Sequence, residues 1–328
     1  MPLRLVLGAT WLVLTAAAVN HASPGSDPGL QPKEAVVVFN NGVTGDVHLS
    51  QATFKSPLEM KLNLTTLRDS VGPWHIHRLP VQDGCSANST SGHYNPFNVT
   101  ATYKTCKDAT ECEAGDLSTK FGLLTGGDVQ RSITDPHLTL FGFNSIMGRS
   151  IVIHEKDGTR FACGTIMYKD QALVTATAEF TEGPYVGKAI FTQPQDSNIA
   201  DTTIFMDVVV ADGSAAPSDP VSFAVYDAPC GSLGAKLLNP GGLPACSQLN
   251  NSPFKPCALG DLSGRHGTLA VPATDAQALF ITDFLPLSGD QSVIGKSLVI
   301  EKTGTTPAAC ANIIKSASSS RNLRSSYH

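Results

Sequence analysis

The chain of 328 residues is long enough for two domains of ordinary size, each able to bury its own core. Only 16% of its residues are charged, and its 29 glycines and 21 prolines exceed the usual share, which argues against coiled coils and helical bundles. A net charge of −5 offers no basic surface for nucleic acid or anionic lipid.

Residues 1–22 carry one basic side chain, Arg4, then an apolar run from Leu5 to Ala18 that ends in small residues. The run is short for a membrane span and reads as a secretory signal cleaved after Ala18 or Ala22. No later segment is apolar enough to cross a bilayer, and the Ser- and Arg-rich tail, flexible over 317–328, lacks the hydrophobic end of a lipid-anchor signal. The expectation is a released extracellular protein, with cell-wall association compatible with it and no membrane partner. Runs at 35–39, 59–64, 204–210 and 268–271 are β-branched or alternate in polarity, and Gly, Pro, Asn and Asp punctuate them at short intervals. This pattern predicts antiparallel Greek-key β-barrels without substantial helix.

The two halves repeat one another. Ser145-Ile146-Met147-Gly148-Arg149-Ser150-Ile151-Val152-Ile153-His154 lies over Ser292-Val293-Ile294-Gly295-Lys296-Ser297-Leu298-Val299-Ile300-Glu301, and the same ungapped frame carries Cys163 onto Cys310. Upstream, Cys112-Glu113-Ala114-Gly115-Asp116-Leu117-Ser118 lies over Cys257-Ala258-Leu259-Gly260-Asp261-Leu262-Ser263, Cys85 falls on Cys230, and Cys106 corresponds to Cys246. The expected domains are 33–168 and 172–316. Such a tandem allows a domain–domain or a homodimer contact. The even count of eight cysteines suits an oxidising compartment. Sequons at Asn63, Asn88, Asn98 and Asn250 offer glycosylation sites in a secreted chain.

His75 and His77 form a His-x-His on a predicted strand, whose period of two points both rings to one face. His93 follows in a loop and His154 ends a second strand. Neutral imidazole suits copper, zinc, iron or nickel alike. His21, His48, His137, His266 and His328 are read as ordinary polar residues. The second half acts as an internal control: His75 maps to Ala224, His77 to Tyr226, His93 to Leu237 and His154 to Glu301, while every cysteine and the Gly-Asp-Leu-Ser turn persist. Four histidines that vary together against a constant framework point to one shared function.

Trp74-His75-Ile76-His77, Gly92-His93-Tyr94-Asn95-Pro96, Gly115-Asp116-Leu117, the run from Ser145 to Glu155, and Arg160-Phe161-Ala162-Cys163-Gly164 resemble, in order, the motifs of the copper/zinc superoxide dismutases. The resemblance covers most of the first domain and, in degenerate form, the second. It implies His75, His77, His93 and His154 as copper ligands, a Cys85–Cys163 disulfide, and Arg160 as the guide for the anionic substrate superoxide. The family's further zinc histidines are missing between His93 and Asp116, and only five residues separate His154 from Arg160, so the family's long charged loop is also absent. These departures, with a Cys106–Cys112 pair, resemble the extracellular copper-only subfamily and its tandem-repeat relatives. By that likeness Glu113 acts on His93 in place of zinc, near Asp116, and the chain holds one copper and no zinc. The repeat register then pairs Cys230 with Cys310 and Cys246 with Cys257. The implied activity is dismutation of superoxide to dioxygen and hydrogen peroxide by the first domain, with His93, Glu113 and Arg160 serving turnover and the second domain inactive. The competing reading is an extracellular copper-binding or copper-buffering protein with little turnover.

Overall fold

The computed structural model describes residues 32–316 apart from 70, 82–83, 102–104, 106–110, 196–201, 214–220, 233–234, 247–256, 270, 272–278 and 302–306. In chain order the elements are β1 (Lys33–Asn41), β2 (Val43–Gln51), β3 (Leu58–Leu67), β4 (Val71–His77), α1 (Ala87–Thr90), α2 (Leu117–Phe121), β5 (Gly127–Asp135), β6 (Ser150–Glu155), β7 (Arg160–Thr165), β8 (Met167–Tyr168), β9 (Leu173–Phe180), β10 (Tyr185–Pro194), β11 (Thr202–Val210), β12 (Ser222–Tyr226), α3 (Leu262–His266), β13 (Leu279–Asp283), β14 (Ser297–Glu301) and β15 (Pro307–Lys315). The protein is all-β and Greek-key, as its sequence predicts, and the helices are single turns of four or five residues. None of the described helices is long and apolar enough to cross a membrane.

In the first half, β5-β3-β2-β1-β8 form one sheet and β4-β6-β7 a second. The chain makes a β1-β2-β3 meander, crosses to β4, returns to β5 beside β3, and crosses again to β6 beside β4. Strict alternation drives the packing: in β3, Leu58, Met60, Leu62 and Leu64 are buried while Glu59, Lys61 and Asn63 face out. These side chains join Trp74, Ile76, Ile151 and Ile153 in one apolar core that runs from Ala35 to Ile166. A second core, from Val174 to Ile313, lies within β12-β14-β15-β9-β10-β11-β13, where β15 pairs with both β14 and β9 and makes one continuous sheet.

Cys85–Cys163, Cys230–Cys310 and Cys246–Cys257 are bonded. Cys112 is also disulfide-bonded, while Cys106, its expected partner, lies outside the described residues. So do the expected signal at 1–22, the tail at 317–328 and the sequon at Asn250. Asn63 and Asn98 are exposed, and Asn88 lies in α1.

Candidate metal centre

Three backbone segments meet behind the histidines. Ile76 N–H donates to the Gly115 carbonyl (2.9 Å), Gly115 N–H to Tyr94 (2.9 Å), and Tyr94 N–H back to Ile76 (2.8 Å). A Cβ at Gly115 would sit 2.7 Å from the Ile76 oxygen and 2.9 Å from that of Tyr94, so glycine is what lets the segments close. Asp116 then caps α2, accepting from Thr119 N–H at 3.0 Å. Ser118 Oγ accepts from Trp74 N–H (2.7 Å) and donates to the Trp74 carbonyl (3.0 Å), which clamps α2 to β4.

With Trp74 and Ile76 turned into the core, the period of two sends His75 and His77 to the opposite face of β4. His93 pairs across with His77, and His154 stands near the end of β6, which pairs with β4. One ring nitrogen from each of the four histidines lies within 4.8 Å of the others. His75 stacks on His93 with ring centres 4.0 Å apart, and His77 and His154 bring their Nε2 atoms to 3.1 Å.

Protein acceptors hold the outward nitrogens of three rings. His77 Nδ1 lies 2.8 Å from the Ser91 carbonyl, His154 Nδ1 3.0 Å from that of Gly158, and His93 Nδ1 2.8 Å from Glu113 Oε2. Each contact turns the Nε2 lone pair inward, the arrangement that fixes a metal-ligating tautomer. Asp116 Oδ1 is 3.7 Å from His75 Nε2. Burial, and then the neighbouring histidines, lower the His75 pKa to about 2. Burial lowers His77 to about 2 against the opposing Ser91 contact, and lowers His154 to about 4 against that of Gly158. These three rings are neutral and hold lone pairs available, so the residues present fit a tetra-imidazole metal ion.

Arg160 opens β7 beside this cluster, and its charge contributes to the depression at both His77 and His154. Its Nη2 donates to the Ser91 carbonyl, while its Nη1 is buried without a hydrogen-bond partner among the described residues. Ser91 is thus a node for ligand and guanidinium together, and it sits in the left-handed region at φ 61°. The Cys85–Cys163 disulfide ties the loop that leads to Ser91 and His93 onto β7. His48, exposed beside Asp46 at 3.4 Å, and His137 and His266 lie outside the cluster. His21 and His328 lie outside the described residues.

The second half keeps the scaffold but has other residues at the four histidine positions. The three-way junction recurs: Val225 N–H donates to Gly260 (2.9 Å), Gly260 N–H to Leu238 (2.7 Å) and Leu238 N–H to Val225 (2.8 Å). Asp261 caps α3, and Ser263 clamps Phe223. Ala224 pairs with Val299 as His75 does with Val152, and Tyr226 pairs with Leu237 as His77 does with His93. The Tyr226 hydroxyl donates to Glu301 Oε1, and burial, this hydrogen bond and the carboxylate's charge push it up to about 12. The same frame places Ala258 at Glu113 and Pro307 at Arg160, so these two residues vary with the histidines. That covariation was available in the sequence. The roles of the Ser91 and Gly158 carbonyls were not, because a backbone acceptor leaves no side-chain signal.

A Greek-key barrel with a tetra-imidazole cluster on the outer face of one sheet, next to a guanidinium, has the donor set for a metal ion and a positive charge beside it. The family model for copper/zinc superoxide dismutase matches residues 43–166, the part of the chain that holds this cluster. The chain is 34% identical over 123 residues to cell surface superoxide dismutase (Cu-Zn) 4 of Candida albicans, covering 36% of this chain and 52% of that protein. It is 30% identical over 173 residues to cell surface Cu-only superoxide dismutase 5 of the same organism, covering 52% and 73%. The match thus spans about half the length of the first relative and about three quarters of the second. Among solved structures, Candida albicans superoxide dismutase 5 with Cu(II) aligns over 43% of this chain and 95% of that one, at 25% identity and a TM-score of 0.39. The chain belongs to the copper/zinc superoxide dismutase family.

Proposed function

We propose that this is a secreted, copper-dependent superoxide dismutase with one active centre, His75, His77, His93 and His154, in a domain spanning 33–168, followed by a metal-free domain spanning 172–316. The observation that carries the reading is the convergence of four inward-facing imidazoles beside the Arg160 guanidinium. Copper bound there would supply one-electron chemistry, taking an electron from one superoxide, which leaves as dioxygen, and passing it to a second. The second superoxide takes up two protons and leaves as hydrogen peroxide. Arg160 stays protonated at physiological pH and draws the anion toward the ligands. His93 is the most accessible ligand, with a side chain 27% exposed, and Glu113 at its Nδ1 holds the ring and can pass it a proton from solvent. With Glu113 on Nδ1 and a metal on Nε2, His93 has no nitrogen left to bridge a second metal, which supports a copper-only centre. Extracellular location is supported by the disulfides and by relatives described as cell surface proteins.

Elemental analysis of the purified full chain, combined with direct observation of superoxide decay, tests this reading. We expect one copper per chain, no zinc surviving dialysis, and rapid decay. Two coppers, or one retained zinc, would overturn the ligand assignment, and copper without decay would make the protein a copper buffer.

Arg160→Ala separates turnover from binding. Loss of the local positive charge is expected to slow superoxide decay about tenfold and to flatten its dependence on ionic strength, since steered association is screened by salt. Copper content should match the parent. An unchanged salt dependence at equal copper loading would remove Arg160 from the mechanism.

A further inference from the structure

The outer face of the second half carries an apolar row that the first half lacks. Ile190, Phe205 and Phe280 are cross-strand neighbours on β10, β11 and β13, and each is at most 7% exposed. The inner positions beside them, Phe191, Ile204 and Ile281, correspond to Leu49, Met60 and Ile133 on β2, β3 and β5, because Phe191 pairs with Ile204 as Leu49 pairs with Met60. The outer row therefore corresponds to His48, Lys61 and Ser132, which are partly or fully exposed.

What covers the apolar row is the first half itself. Leu79, which follows β4, is 2% exposed and forms one cluster with Ile190, Phe205 and Phe280. The Phe280 ring lies so close to Gly148 that a Cβ there would stand 2.4 Å from it. The Arg149 guanidinium is 5.2 Å from the same ring and 4.2 Å from that of Tyr94. Phe143 extends the contact, with ring centres 5.3 Å from His266 and 5.0 Å from Phe284.

The contact is not repeated. Gly295 and Lys296 occupy the frame of Gly148 and Arg149, and Ala228 that of Leu79, since Ser297 Oγ bonds to Ala228 as Ser150 Oγ does to Leu79. A Cβ at Gly295 would meet nothing within 4 Å. One half has the socket with a polar sheet face, and the other has the apolar face with a reduced, open socket. A head-to-face contact present on both would propagate from chain to chain. Here it closes after one.

We propose that the second half is the built-in docking partner of the first: its Ile190–Phe205–Phe280 face seats permanently on the Leu79–Gly148–Arg149 socket of the same chain and leaves a closed monomer. This is independent of the dismutase reading and requires no activity measurement.

The test exchanges the apolar row for the residues that the first half carries in the same register, Ile190→His, Phe205→Lys and Phe280→Ser together, in the full chain. The readouts are small-angle scattering and subtilisin cleavage at the exposed connector 170–172. The parent is expected to be a compact monomer with a slowly cut connector. The triple variant should be a monomer with a larger radius of gyration and a connector cut at least tenfold faster. Leu79→Glu, which leaves the second half untouched, should give the same opening. A dimeric parent, or less than a threefold change in cutting in both the triple variant and Leu79→Glu, would overturn the proposal.

Discussion

His154→Glu is expected to remove bound copper and superoxide turnover together while the fold stays intact. The substitution takes away the Nε2 that stands 3.1 Å from His77 Nε2, and it turns a carboxylate toward the Gly158 carbonyl that now meets His154 Nδ1. A ligand change should exceed the roughly 10–100-fold loss of metal affinity typical of outer-shell changes, so copper should not survive dialysis against a chelator. Superoxide decay should fall to the rate of metal-free protein. Folding should survive, because Glu301 occupies this register in the second half, at the end of an intact β14. Copper retention with decay lost would reduce His154 to a residue needed for turnover alone. Retention of both would remove it from the site.

The metal-free protein is expected to lose stability steeply as pH falls below about 6.5. An unfolded histidine titrates near 6.5, whereas His154 in the fold resists protonation until about 4 and His75 and His77 until about 2. The unfolded chain therefore binds more protons through this window. The stabilisation is complete above about pH 6.5 and is lost as pH falls toward 4 for His154 and toward 2 for His75 and His77. Each such group contributes a slope of up to about 1.4 kcal/mol per pH unit, so His154 alone could cost the fold about 3 kcal/mol by pH 4. Urea unfolding of the metal-free chain at pH 7.5, 6 and 5 measures this directly. Equal midpoints at the three values would contradict a buried, neutral cluster. Bound copper should shift the loss to lower pH, because protons and metal compete for the same nitrogens.

Much of this was legible in the chain because its signals are local. The alternation over 59–64 gives the inner and outer faces of β3, and His-x-His gives the shared face of β4. The repeat register, read from the cysteines and the Gly-Asp-Leu-Ser turn, places Ala224, Tyr226, Leu237 and Glu301 where the structure has them. The persistence of that turn has a structural cause: it caps a helix and clamps a strand in both halves, whether or not a metal ligand stands nearby. Less legible was what depends on segments distant in sequence. Ser91 meets Arg160 across 69 residues through a carbonyl. The docking face left a fainter mark. Ile204-Phe205-Met206 and Ala189-Ile190-Phe191 are continuous apolar runs, the pattern of strands covered on both faces, where β3 alternates.

The three-way junction of Val225, Leu238 and Gly260 means that the second half still holds its backbone in the shape that positions ligands in the first. The mount is present there without an imidazole at any of the four positions. Ala224, Tyr226, Leu237 and Glu301 stand on strands and turns whose register matches that of His75, His77, His93 and His154, beside a helix capped and clamped in the same way. The chain thus presents one backbone mount twice, once beneath four converging imidazoles and once beneath an alanine, a leucine and a hydrogen-bonded Tyr226–Glu301 pair.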